Sequence, residues 1–176
     1  MLWRDAMTAS LDFIAHEFIN FRNGSYAWID VKRFQLARWS GDEVAALDLL
    51  LRHERYRGDY ASGDSVSIDN RRLHGPFLLS RMTASSFDLV DEAVADQLIR
   101  TWVKEIGFLD PVPEELASCL ETHVYDSLRG ATHRYKLREL GREAMHDYGW
   151  VLWHFWELVL LDRSDASLTL VVGAVD

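Results

Sequence analysis

The sequence predicts an α+β fold of four or five amphipathic helices packed on an antiparallel sheet that includes a C-terminal β-hairpin. Three observations lead there. Apolar residues recur at three- and four-residue spacing through much of the chain, as on a helix that buries one face. The final third changes to β-branched and aromatic runs, "WVLWHFWELVLLD" and "LTLVVGAV", split by the short polar "RSDAS". A chain of 176 residues, 48% hydrophobic and 27% charged, supplies one substantial core, and with no linker in sight it reads as a single domain over 1–176.

Taken in order, Leu11, Ile14, Ala15, Phe18, Ile19 and Phe21 draw a stripe that predicts a first helix, ended by Asn23-Gly24. The stretch 26–39 fits neither period. Ser40 and Glu43 have capping-box spacing ahead of Val44, Leu47, Leu50 and Leu51, which predicts a second helix. Residues 58–86 are irregular, with "SVSI" and "PFLL" as short edge-strand candidates. A serine cap and a stripe through Val90, Val94, Leu98 and Trp102 up to Gly107 predict a third helix. Pro113, followed by Leu116, Leu120 and Val124 up to Gly130, predicts a fourth. The basic "HRYKLRELGRE" predicts a fifth. The last two apolar runs form the hairpin.

The formal net charge of −9 is uneven. Residues 1–88 carry 11 Lys/Arg against 12 Asp/Glu, and residues 89–176 carry 8 against 16. Such a field repels phosphate backbones and favours encounter with a basic protein, so no nucleic-acid partner is expected. The single cysteine, Cys119, excludes an internal disulfide. Charges interrupt the N-terminal stretch and the longest apolar run, so the sequence is expected to be cytoplasmic with no membrane partner. Asn23-Gly24-Ser25 matches a glycosylation triplet, which has no meaning in a cytoplasmic protein.

No glycine-rich phosphate loop, serine elbow, dinucleotide fingerprint or zinc-site spacing occurs, and neither cofactor nor metal is expected. The segment Tyr148 to Glu157 stands out because it sets ionisable groups among tryptophans. Read as a strand, it sends His154 and Glu157 to opposite faces, which argues against a catalytic pair. His154 is then expected to be bonded inside the sheet layer. Glu157 is expected near an edge, a partner, or an arginine of the basic stretch, since a buried lone carboxylate costs several kcal/mol. Tyr148, Trp150, Trp153, His154, Trp156 and Glu157 together make a candidate binding surface, because tryptophan and tyrosine bury large areas with few rotors.

Weaker candidates are the His53, Glu54, Asp59, Tyr60 group at a helix end, the Cys119/His123 pair four residues apart, and His74 beside Arg71 and Arg72 as an anion receiver. His16 lacks the second histidine of a zinc-protease helix. The leading expectation is a non-catalytic, protein-binding domain of the bacterial immunity type. The alternative is a small hydrolase or ligand-binding enzyme with a Trp-lined cleft served by His154, Glu157 or His53. A homodimer across an open apolar sheet face fits either.

Overall fold

A computed structural model describes residues 8–22, 24–58, 60, 70–106 and 111–176. Its frame is a six-stranded, wholly antiparallel sheet in the order β1-β2-β8-β7-β6-β5. The strands are β1 (Ser10–Asn20), β2 (Ala27–Ala37), β5 (Phe87–Val90), β6 (His133–Leu137), β7 (Trp153–Asp162) and β8 (Ser167–Val175). A two-residue ladder, β3 (Leu73–His74) with β4 (Phe77–Leu78), stands apart from it. Among the described residues there are three helices. They are α1 (Glu43–Arg52), α2 (Glu92–Glu105) and a third that runs as α3 (Glu114–Leu120), a π-helical turn (Glu121–Tyr125) and α4 (Asp126–Gly130).

The α+β class and the C-terminal hairpin stand, but three helices replace the predicted four or five. The predicted first helix is strand β1. Its ladder shifts between Phe13 and Ala15, so Ile14 is an extra residue. That bulge breaks the period-two alternation, and apolar residues on two faces then recur at three- and four-residue spacing like a helix stripe. The predicted fifth helix is strand β6, whose helix-favouring Lys, Leu and Arg are overruled by pairing with β5 on one side and β7 on the other. The ambiguous stretch is β2.

Helix α1 is capped by Asp42, whose carboxylate accepts from the Ala45 N–H, rather than by Ser40. Helix α2 is capped by Asp91, not a serine, because Phe87–Val90 pairs as a strand first. Its buried stripe is Ala95, Ile99, Trp102 and Val103, while Val94 is exposed. Of the edge-strand pieces, Phe77–Leu78 is β4. "SVSI" and the marks placed on Asn23, Asp59 and Gly107 lie outside the described residues.

Both sheet faces are covered. Ile29, Val31, Trp156, Leu158, Leu160 and Val171 pack under α2 and the third helix. Phe34, Val159, Leu161, Leu168, Leu170 and Val172 pack under α1 and the irregular segment that follows it. Full cover explains why β7 is apolar on both sides. No helix of the described residues is long and apolar enough to cross a membrane.

Glu43, at the start of α1, ties that helix to the sheet. It accepts from the Tyr135 hydroxyl and from Arg163 Nη2 at 2.9 Å, and His133 Nδ1 lies 2.8 Å away. Burial alone would raise the Glu43 carboxyl, but the hydrogen bonds from Tyr135 and Arg163 and the nearby positive charge hold it below its ordinary value. Burial and the Glu43 contact push the Tyr135 hydroxyl from 10.0 up to about 12. An unfolded chain loses that proton first, so the stabilisation is complete below pH 10 and declines between pH 10 and about 12. Denaturant unfolding should show Tyr135→Phe losing less stability than wild type as pH is raised from 9 to 11. Equal losses would mean that Tyr135 has no raised value.

Candidate functional site

On the face under α1, the register Phe18↔Asp30↔Val172↔Glu157 sets two carboxylates on one cross-strand row with a valine between them. Asp30 and Glu157 are both buried. Alternation along β2 and β7 dictates their direction, so each must find partners from whatever covers that face.

The segment 53–78 supplies them for Glu157. Tyr56 Oη donates to Glu157 Oε1 at 2.9 Å, and His74 Nε2 lies 2.6 Å from Oε2. His74 Nδ1 meets the Tyr56 carbonyl, and the Tyr56 and His74 rings stack with centroids 3.6 Å apart. A carbonyl only accepts, so Nδ1 carries a hydrogen. The Nε2–Oε2 contact therefore holds one proton between the two groups, and the pair is neutral overall on whichever side that proton sits. Burial and the Glu157 charge push the Tyr56 hydroxyl well above its ordinary range.

Asp30 is served from its own sheet. His16 Nε2 bonds its Oδ1, and Lys32 Nζ lies 3.3 Å from Oδ2. Lys32 also donates to the Arg55 carbonyl at 2.9 Å and to Tyr60 Oη at 3.2 Å. Burial and the Asp30 and Glu157 charges push the Tyr60 hydroxyl well above its ordinary range. Tyr60 thus sits in the field of both carboxylates.

This cluster looks like acid–base machinery but is arranged as a latch. Both ring nitrogens of His74 are engaged, one by a carbonyl and one by Glu157, and neither is left to take a proton from a substrate. The side chains of Asp30, Tyr56, His74 and Glu157 are sealed from solvent. Their effect is to pin the stretches around Tyr56 and His74 to the sheet.

The six-residue candidate surface is divided. Tyr148, Trp150 and Trp153 are 58%, 64% and 61% exposed. His154 is exposed as well, with φ at +51°, inside a register shift between Trp153 and Trp156. That shift overturns the expectation of an internally bonded His154: its carbonyl, not its ring, is held, by Trp102 Nε1 at 3.1 Å. Trp156 and Glu157 are buried on opposite faces. A Cβ at Gly173 would come within 2.4 Å of the Trp156 ring, so glycine there is what lets the indole lie against β8. Its ring packs edge to face with that of Trp102, centroids 5.7 Å apart. Glu157 is neither at an edge nor paired with an arginine; its partners are 83 and 101 residues away in the chain.

A cleft of about 310 Å³ does open beside β7, lined by Trp102, His154, Trp156 and Lys136 among others. The sealed Glu157 does not reach it. His53 packs edge-on against Phe34 and accepts from the Arg55 N–H at 3.0 Å. His154, Glu157 and His53 therefore share no hydrogen bond or ring contact, and the acid–base set of the enzyme reading does not converge. His74 is buried while Arg71 and Arg72 are exposed, so they form no joint anion receiver.

On the other sheet face, the Cys119/His123 pair is joined by Glu17 of β1, with one ligand atom from each within 4.8 Å of the others. Asp30, Lys32, Tyr56 and Glu17 escaped sequence reasoning. Only Asp30 left a mark there, as a lone acid in the apolar "WIDV". No family model matches this sequence, and no curated protein or solved structure matches it either.

Proposed function

We propose that this chain is a non-catalytic, cytoplasmic protein-binding domain of the kind represented by bacterial immunity proteins, and that it engages a basic protein through Tyr148, Trp150 and Trp153. The carrying observation is that these three large aromatics, within six residues of sequence, all stand more than half exposed. Isolated exposed apolar residues are ordinary, but a cluster of Trp and Tyr is costly to leave in water and is the residue class that anchors interfaces. The neighbouring 310 Å³ cleft offers a seat for a partner side chain. Residues 91–130, which include α2 and the third helix, carry nine Asp/Glu against three Lys/Arg, and that charge would speed the approach of a cationic partner.

The test is a combined Tyr148→Ser, Trp150→Ser, Trp153→Ser variant. A basic protein retained by the wild type should bind this variant at least about 100-fold more weakly by calorimetry, since interface anchors of this type are worth 2 kcal/mol or more each. Its association rate with the wild type should fall as salt is raised. Unchanged affinity in a variant with the wild-type circular dichroism spectrum would remove the aromatic segment from the interface.

A further inference from the structure

We propose that Glu17, Cys119 and His123 form a zinc site that joins edge strand β1 to the third helix. Carboxylate, thiolate and imidazole are the three ligand types that zinc takes in proteins, and here they converge from two elements about 100 residues apart in the chain. With metal–ligand bonds of about 2.0–2.3 Å, tetrahedral donors lie roughly 3.3–3.8 Å from one another. Atoms now within 4.8 Å need a closure of about 1 Å, within reach of side-chain rotation.

Two further features fit. Among the described residues, neither the Glu17 carboxylate nor the His123 ring has a hydrogen-bond or ion-pair partner, so both are available as ligands. His123 lies in the π-helical turn, a local widening frequent at functional sites. Arg33 of β2 holds that turn in register by donating from Nη2 to the His123 carbonyl at 3.1 Å. Glu17 and Cys119 also line a cleft of about 610 Å³, so an ion has an approach path. Thiolate and carboxylate together neutralise a divalent ion. Three protein ligands leave a fourth position for water or for a group brought by another molecule.

The experiment is a titration of the full chain, reduced, with Co²⁺ as a spectroscopic stand-in for Zn²⁺. Binding at the proposed site gives a thiolate-to-cobalt charge-transfer band and tetrahedral d–d bands that saturate at one equivalent and are erased by Zn²⁺. Cys119→Ser should abolish the charge-transfer band. Glu17→Gln and His123→Asn should each weaken binding at least about tenfold, with circular dichroism spectra unchanged. Absence of the band at millimolar Co²⁺, or a band indifferent to Glu17→Gln and His123→Asn, would overturn the site. Because the titration uses the isolated chain, its result is independent of the aromatic surface proposed for partner binding.

Discussion

Glu157→Ala is expected to lower the unfolding free energy by about 3–5 kcal/mol, the range measured when one member of a buried, hydrogen-bonded polar pair is removed. The alanine would leave His74 Nε2 and the Tyr56 hydroxyl facing a cavity instead of Oε2 at 2.6 Å and Oε1 at 2.9 Å. For a domain of this size the melting temperature should fall on the order of 10 °C. A triple substitution, Glu157→Leu with His74→Phe and Tyr56→Phe, separates the cost of stranding a partner from the worth of the contacts. Replacing all three polar groups by apolar ones of similar volume should recover much of the loss, as buried ion pairs generally allow. A loss under about 1 kcal/mol in the single variant would mean that the latch does not form in solution.

The second large effect is expected at Gly149, directly before the exposed Trp150. A Cβ there would lie 2.4 Å from the Pro76 carbonyl oxygen and 3.1 Å from the carbon. Backbone cannot swing aside as a side-chain tip can, so Gly149→Ala must push the 146–151 turn away from the 75–77 loop. Several contacts resist that move: His146 N–H donates to the Pro76 carbonyl at 3.1 Å, the His146 ring meets the Gly75 carbonyl at 3.0 Å, and Phe77 bridges to Met145. The cost should reach about 3 kcal/mol, and partner affinity should fall along with stability because Tyr148 and Trp150 flank the displaced residue. Gly141→Ala is the contrast. Its φ is +76° and its ψ 173°, a region that essentially only glycine enters, but no heavy atom lies within 4 Å of a Cβ, so the change should cost about 1–3 kcal/mol of backbone strain and leave affinity unchanged. Wild-type stability in Gly149→Ala, by chemical denaturation, would show that this close approach is absent.

The hairpin of β7 and β8 was legible because strand-favouring residues fill both runs and a short polar segment divides them. Strand β1 was not, because one bulged residue at Ile14 turned a two-face strand pattern into a helix-like one. Strand β6 was not, because its five residues take their conformation from neighbours on both sides, which local propensity cannot see. The same distinction divides the site. The tryptophan cluster is contiguous, so sequence found it, yet the register shift at His154 that sends Trp153 outward and Trp156 inward is a tertiary event. The carboxylate row and its partners come from four separate stretches of chain, and no spacing rule unites Asp30, Tyr56, His74 and Glu157.

The central position of β8 bears on how the chain reaches this state. It pairs β2 on one edge and β7 on the other, so the sheet consists of two parts, β1-β2 and β5-β6-β7, joined through one strand. The Ala27↔Val175 pairing closes a loop of nearly the whole chain, which makes it among the slowest contacts to form. The β7–β8 hairpin closes locally, so until β8 meets β2 the facing edges of those two strands present unpaired backbone and apolar side chains. A chain caught before that pairing would be the form most open to strand exchange and aggregation. Agents that hold or mimic residues 167–175 should therefore govern its refolding yield more than its final stability.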